Sequence, residues 1–118
     1  MQINTTEKNT NVLGKICRLA QNRANIQWSG RALEDIALTD GLTQKGVLQA
    51  IIEHINSGGE VTRSISKKVT QYVGMTIFEM LINIDGVVRY IKVQLKEEKG
   101  RESLVVISAH DSTKGEGR

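Results

Sequence analysis

Apolar positions fall at helical spacing through the first half of the chain and alternate with polar ones through much of the last third. Over 11–24, Val12, Leu13, Ile16, Leu19, Ala20 and Ala24 line one face of a predicted helix, with Lys15, Arg18 and Asn22 on its wet side. Residues 25–28 form a short extended stretch. Ser29 is placed to cap a brief helix that turns Ala32, Leu33, Ile36 and Ala37 inward, and Asp40-Gly41 closes it. Thr43 caps a longer helix over 44–57, whose inner face carries Val47, Leu48, Ile51, Ile52 and Ile55. Gly58-Gly59 stops that helix, because glycine accepts the left-handed conformation beyond a helix end. The polar, basic segment 61–73 reads either as a strand with a loop or as a loop entering a sheet.

Two β-branched runs, 76–84 and 87–95, flank Asp85-Gly86. That dipeptide is the strongest short hairpin signal, since a type I′ turn needs positive φ at both central residues. A two-residue turn sets the register: Ile84 faces Val87, Leu81 faces Tyr90, and Glu79 faces Lys92. Phe78, Met80, Ile91 and Val93 then share one face, and Glu79, Tyr90 and Lys92 share the other. A third strand over 104–110 is expected to present Val105, Ile107 and Ala109 as its apolar face, with Ser108 and His110 opposite. If both apolar faces meet one core, His110 projects beside Glu79, Tyr90 and Lys92, and that surface is the candidate site. Helices first and strands second predict one α+β domain, 1–118, with the N-terminal helices packed on one face of a small antiparallel sheet. Residues 1–10 and 111–118 read as frayed tails.

Composition narrows the function classes. With 3% aromatic residues the core must be aliphatic, and no platform for stacking successive bases is evident. The net charge of +3 permits nucleic-acid binding without demanding it. Its distribution is more telling: between Val61 and Lys96 stand Arg63, Lys67, Lys68, Arg89, Lys92 and Lys96, against Glu79 and Asp85 alone. The single cysteine, Cys17, makes no internal disulfide and fits a reducing cytoplasm. No signal peptide or spanning segment is expected. His54 and His110 lie in different elements and show no metal-ligand spacing, so neither a metal nor another cofactor is expected.

The chain resembles the MqsR-type toxins of bacterial toxin–antitoxin modules. The residues that carry the resemblance are 15–19, Arg31-Ala32-Leu33, 47–52, Thr62-Arg63-Ser64, Ile77-Phe78-Glu79, Tyr90-Ile91-Lys92-Val93 and Val105-Val106-Ile107-Ser108. Arg63-Ser64 stand where that family has lysine-serine, Phe78-Glu79 where it has tryptophan-glutamine, Tyr90 where it has tyrosine, and His110 where it usually has lysine. The resemblance implies a RelE-like fold and a cytoplasmic messenger-RNA endonuclease that works without metal. Its partners would be single-stranded mRNA and a cognate antitoxin, the latter in an oligomeric toxin–antitoxin complex.

Such cleavage uses the substrate's own 2′-hydroxyl as nucleophile, which restricts it to RNA. It needs a base, an acid for the departing 5′-oxygen, and cations for the phosphorane. On this reading His110, with a reference pKa of about 6.5, transfers protons. Arg63 is a phosphate clamp with a planar fork, and Lys92 is a second clamp. Lys67 and Lys68 are further phosphate contacts, Tyr90 orients the scissile group, and Glu79 holds Lys92 or His110 or acts as the base. Each residue also has a structural reading. Glu79 and Lys92 make an ordinary cross-strand ion pair, Tyr90 covers Leu81, and Arg63, Lys67 and Lys68 form a solvated loop. His54 reads as structural or exposed, and Cys17 as a small packing residue. The rival functions are a non-catalytic RNA-binding protein using the same basic face, and an interaction module whose sheet edge pairs with a partner strand.

Overall fold

The computed structural model describes residues 5–65 and 76–114. In chain order the elements are β1 (Thr5–Thr6), α1 (Thr10–Ala20), β2 (Ile26–Trp28), α2 (Gly30–Ala37), α3 (Gln44–Asn56), β3 (Thr62–Ile65), β4 (Thr76–Ile84), β5 (Val87–Glu98) and β6 (Arg101–Asp111). The strands form one sheet in the order β1-β3-β4-β5-β6-β2. The α+β class stands, but the sheet is mixed and not purely antiparallel, because β2 runs parallel to β6. The extended stretch after α1 is that parallel edge strand, and a three-residue run carries no signal of direction. Thr5 and Thr6 pair with β3, so the expected N-terminal tail enters the sheet.

The helix signals act where they were read. Ser29 Oγ accepts from Ala32 N–H at 3.0 Å, and Thr43 Oγ1 accepts from Gly46 N–H at 2.9 Å. Gly58 takes φ of 83° just beyond α3. Helix α1 ends at Ala20, earlier than the periodicity suggests, because Asn22 caps a separate 3₁₀ turn by accepting from Ala24 N–H. In α2 the inward face differs too. Leu33 and Ala37 are exposed, while Ala32 and Asp35 are buried.

The Asp85-Gly86 register is the expected one: Ile84 opposite Val87, Leu81 opposite Tyr90, Glu79 opposite Lys92. Asp85 and Gly86 take φ of 53° and 88°. Lys99 and Gly100 repeat that geometry at 53° and 78°, so β5 and β6 form a second, longer hairpin. The core lies on the face of Phe78, Met80, Ile91 and Val93, filled from the helices by Ile16, Leu19, Val47, Leu48 and Ile51. Each fully buried aliphatic side chain there contributes about 1.5–3 kcal/mol.

One irregularity decides what β6 presents. Lys92 pairs with Ser108 and Val93 with Val106, so Ile107 is an extra residue. Before the bulge Leu104 and Val106 enter the core; after it Ala109 does. Val105 and Ile107, expected on the core face, instead cluster with Ile77 on the opposite one. Ser29 pins the bulge, its N–H donating to Val106 O at 3.0 Å and its Oγ to Ile107 O at 2.6 Å.

Past the end of β2 the outer edge of β6 is tied off by α2. Asp35 is 9% exposed, and its Oδ2 accepts from Ala109 N–H at 2.9 Å. Arg89, buried in the same corner, donates to Ala109 O at 2.9 Å and to Thr39 Oγ1 at 3.2 Å. Across the molecule, Lys15 and Arg18 of α1 hold the Glu102 carboxyl below its ordinary range through charged hydrogen bonds. Among the described residues no helix is long and apolar enough to cross a membrane.

Two outcomes are expected. Asp35→Ala strips the buried Ala109 N–H of its acceptor and should cost about 1–3 kcal/mol in urea unfolding. Asp35→Asn, which keeps an acceptor oxygen, should recover part of that. Glu102 has a lowered folded pKa, so its contribution is present above the ordinary carboxylate range and lost as pH falls through the folded value. The melting-temperature difference between parent and Glu102→Gln should therefore be largest near neutrality and vanish in acid; a constant difference from neutrality into acid would contradict the linkage.

Candidate active site

Rows of side chains cross the sheet on the face away from the main core. One row runs Thr62, Glu79, Lys92, Ser108; the next runs Leu81, Tyr90, His110. The bulge puts Ser108 and His110 on this face. Unbroken alternation from Leu104 would have sent both into the core.

Contacts join the two rows. The Tyr90 hydroxyl donates to Glu79 Oε2. The Tyr90 ring stacks on His110, with centroids 5.5 Å apart and planes 20° from parallel. Lys92 Nζ stands 5.5 Å from the Tyr90 centroid and 3.9 Å from Glu79 Oε2. Glu79, Tyr90, Lys92 and His110 are thus one cluster, with Tyr90 touching the other three. His110, only 6% exposed, forms its buried end. Glu79 and Tyr90 form its open end, where with His54, Glu60, Thr62, Met80 and Leu81 they line a cleft of about 360 Å³.

Arg63 does not join them. It pairs with Phe78, a core-face residue, and therefore projects from the opposite side of the sheet. There its guanidinium Nη1 lies 3.7 Å from Oε1 of the buried Glu7. The structure therefore does not bring Arg63, expected as a phosphate clamp, together with Glu79, Tyr90, Lys92 and His110. Lys67 and Lys68 lie outside the described residues.

Two further groups reach the cleft that no local pattern in the sequence marks. His54, expected to be structural or exposed, reaches the cleft from the end of α3, and Glu60 forms part of its rim. Distance in sequence hid both, since α3 and β4 are separated by the loop and β3. Among the described residues no three His, Cys, Asp or Glu side chains gather as a group for a metal ion.

Compared with protein-family models, curated proteins and solved structures, the chain matches none.

Cys17 is buried on α1, with Sγ 3.9 Å from Asn56 Oδ1, and burial pushes its thiol pKa up. Alkylation of the native protein at pH 7–8 should accordingly be much slower than that of a free thiol, because thiolate is scarce and access is closed. Urea should release fast reaction. Rapid labelling of the folded chain would mean that α1 opens more readily than its packing implies.

Proposed function

We propose that this chain is an endoribonuclease that cleaves single-stranded RNA by 2′-hydroxyl attack without a metal. The observation that supports the reading most is the Glu79–Tyr90–Lys92 contact set at the open end of a cleft, backed by the His110 ring. Such a set holds a base and a cation for cyclising cleavage next to one another. Tyr90 and Lys92 both engage Oε2 of Glu79, which leaves Oε1 to accept a proton.

In this mechanism Glu79 takes the proton of the 2′-hydroxyl. The 2′-oxygen bonds to phosphorus as the bond to the 5′-oxygen breaks, giving a 2′,3′-cyclic phosphate and a 5′-hydroxyl. Lys92 offsets charge on the phosphorane oxygens, and the Tyr90 hydroxyl fixes the carboxylate and meets the scissile group. His110 acts through Tyr90, setting its ring plane from behind. The biological role proposed with this activity is that of a toxin with a RelE-like fold, held in check by an antitoxin. A purely electrostatic RNA binder is less well supported: Lys92 is engaged by Glu79, and Arg63 stands on the other face.

The test is incubation of the purified protein with a single-stranded RNA and its DNA counterpart in the presence of a chelator. RNA should be cut to cyclic-phosphate ends and DNA left whole. Glu79→Gln should slow turnover by about 10²–10⁴-fold, the usual worth of a general base. His110→Ala should reduce turnover, and His110→Phe, which keeps the stack, should restore much of it. An equal loss in both would assign His110 a proton-transfer role instead. Cleavage that requires an added divalent ion, or an unimpaired Glu79→Gln, would overturn the mechanism.

A further inference from the structure

Cleavage by 2′-hydroxyl attack leaves one proton unaccounted for, the one that the 5′-oxygen must gain as it departs. Among the groups lining the cleft with Glu79 and Tyr90, His54 is the one built to supply it. Its Nε2 lies 2.8 Å from Glu60 O, a carbonyl that can only accept, so Nε2 carries hydrogen and Nδ1 is the nitrogen that gains and loses a proton. A main-chain carbonyl that fixes one ring nitrogen in this way orients the other.

The loop after α3 is shaped around this ring. Gly58 N–H donates to Ile55 O at 3.1 Å and Gly59 N–H to His54 O at 2.8 Å, which folds the chain back over the helix end. Gly58 needs to be glycine for its positive φ. Gly59 has no such need, because its φ lies outside the left-handed range. A Cβ at Gly59 would instead overlap the His54 ring at Cε1, Nδ1 and Nε2. The side chain missing at 59 is what lets the imidazole lie flat against the main chain with one nitrogen held by Glu60 O.

We propose that His54 is the general acid of the cleavage, protonating the 5′-oxygen as its bond to phosphorus breaks. The inference rests on the endoribonuclease reading above. The electron pair of the P–O5′ bond passes to the oxygen, which takes the proton from His54, while Glu79 holds the proton taken from the 2′-hydroxyl. After product leaves, solvent returns a proton to His54 and removes one from Glu79, so no other co-reactant is needed.

The experiment compares an ordinary RNA dinucleotide with one carrying sulfur in place of the bridging 5′-oxygen. A thiolate leaves without protonation, so the sulfur substrate reports every part of the site except the acid. His54→Gln removes the transferable proton while its amide can still donate to Glu60 O. It should cleave the oxygen substrate about 10²–10⁴-fold more slowly than the parent, the usual worth of a general acid, and the sulfur substrate at close to the parent rate. Gly59→Ala, which displaces the ring, should show the same selective loss. Glu79→Gln should slow both substrates. Equal slowing of both by His54→Gln, or slowing of neither, overturns the acid role while leaving the nuclease reading intact. A parent that cleaves neither substrate overturns that reading, and the acid role falls with it.

Discussion

The extra residue in β6 is the constraint on which the candidate site depends. A β-strand has two faces and strict alternation, so a strand whose first half places Leu104 and Val106 in the core must continue with Ser108 and His110 there. Neither side chain suits an aliphatic interior. Inserting Ile107 reverses the parity: Ala109 takes the core position opposite Ile91, and His110 turns to meet Tyr90. Around the bulge and past the end of β2, the outer edge of β6 is met by α2 and by Ser29, the residue that caps it. Ser29 satisfies the carbonyls of Val106 and Ile107, and Asp35 satisfies the N–H of Ala109. One short helix thus closes a sheet edge, holds a bulge and aims a histidine.

The same parity sorts the cations. Charge counted along the sequence suggests a basic surface between Val61 and Lys96. Register divides it, sending Lys92 to the Tyr90 face, Arg63 to the opposite face beside Glu7, and Arg89 into a buried corner under Thr39 and Ala109. A guanidinium as enclosed as that of Arg89 is retained only with acceptors in place, and the Ala109 carbonyl and the Thr39 hydroxyl supply them. The candidate site is made by the few side chains that share one face and one pair of rows, and less by net charge.

His54 and Gly59 carry a wider point about glycine. A glycine at positive φ is explained by its own backbone. A glycine in ordinary backbone conformation points to a neighbour that needs the room, and here the neighbour is an imidazole at a cleft. The helix-stop reading of Gly58-Gly59 accounts for the first glycine and misses the second.

Local chemistry made much of this fold legible in the sequence. Asp85-Gly86 determined the β4–β5 register, because the turn geometry is set by two residues and alternation carries it outward; Glu79 opposite Lys92 follows from that alone. Ser29, Thr43 and Gly58 marked helix ends, because caps are satisfied within four residues. What tertiary structure decided was everything that turns on a partner far along the chain. The parallel direction of β2 depends on β6, some eighty residues later, and the face of Arg63 on its pairing with Phe78. The burial of Asp35 depends on an N–H at Ala109, and the place of His54 beside Glu79 and Tyr90 on how α3 meets the sheet. Alternation predicts sides only until a bulge intervenes. The bulge at Ile107 is held by hydrogen bonds from Ser29, a residue that no local pattern links to it.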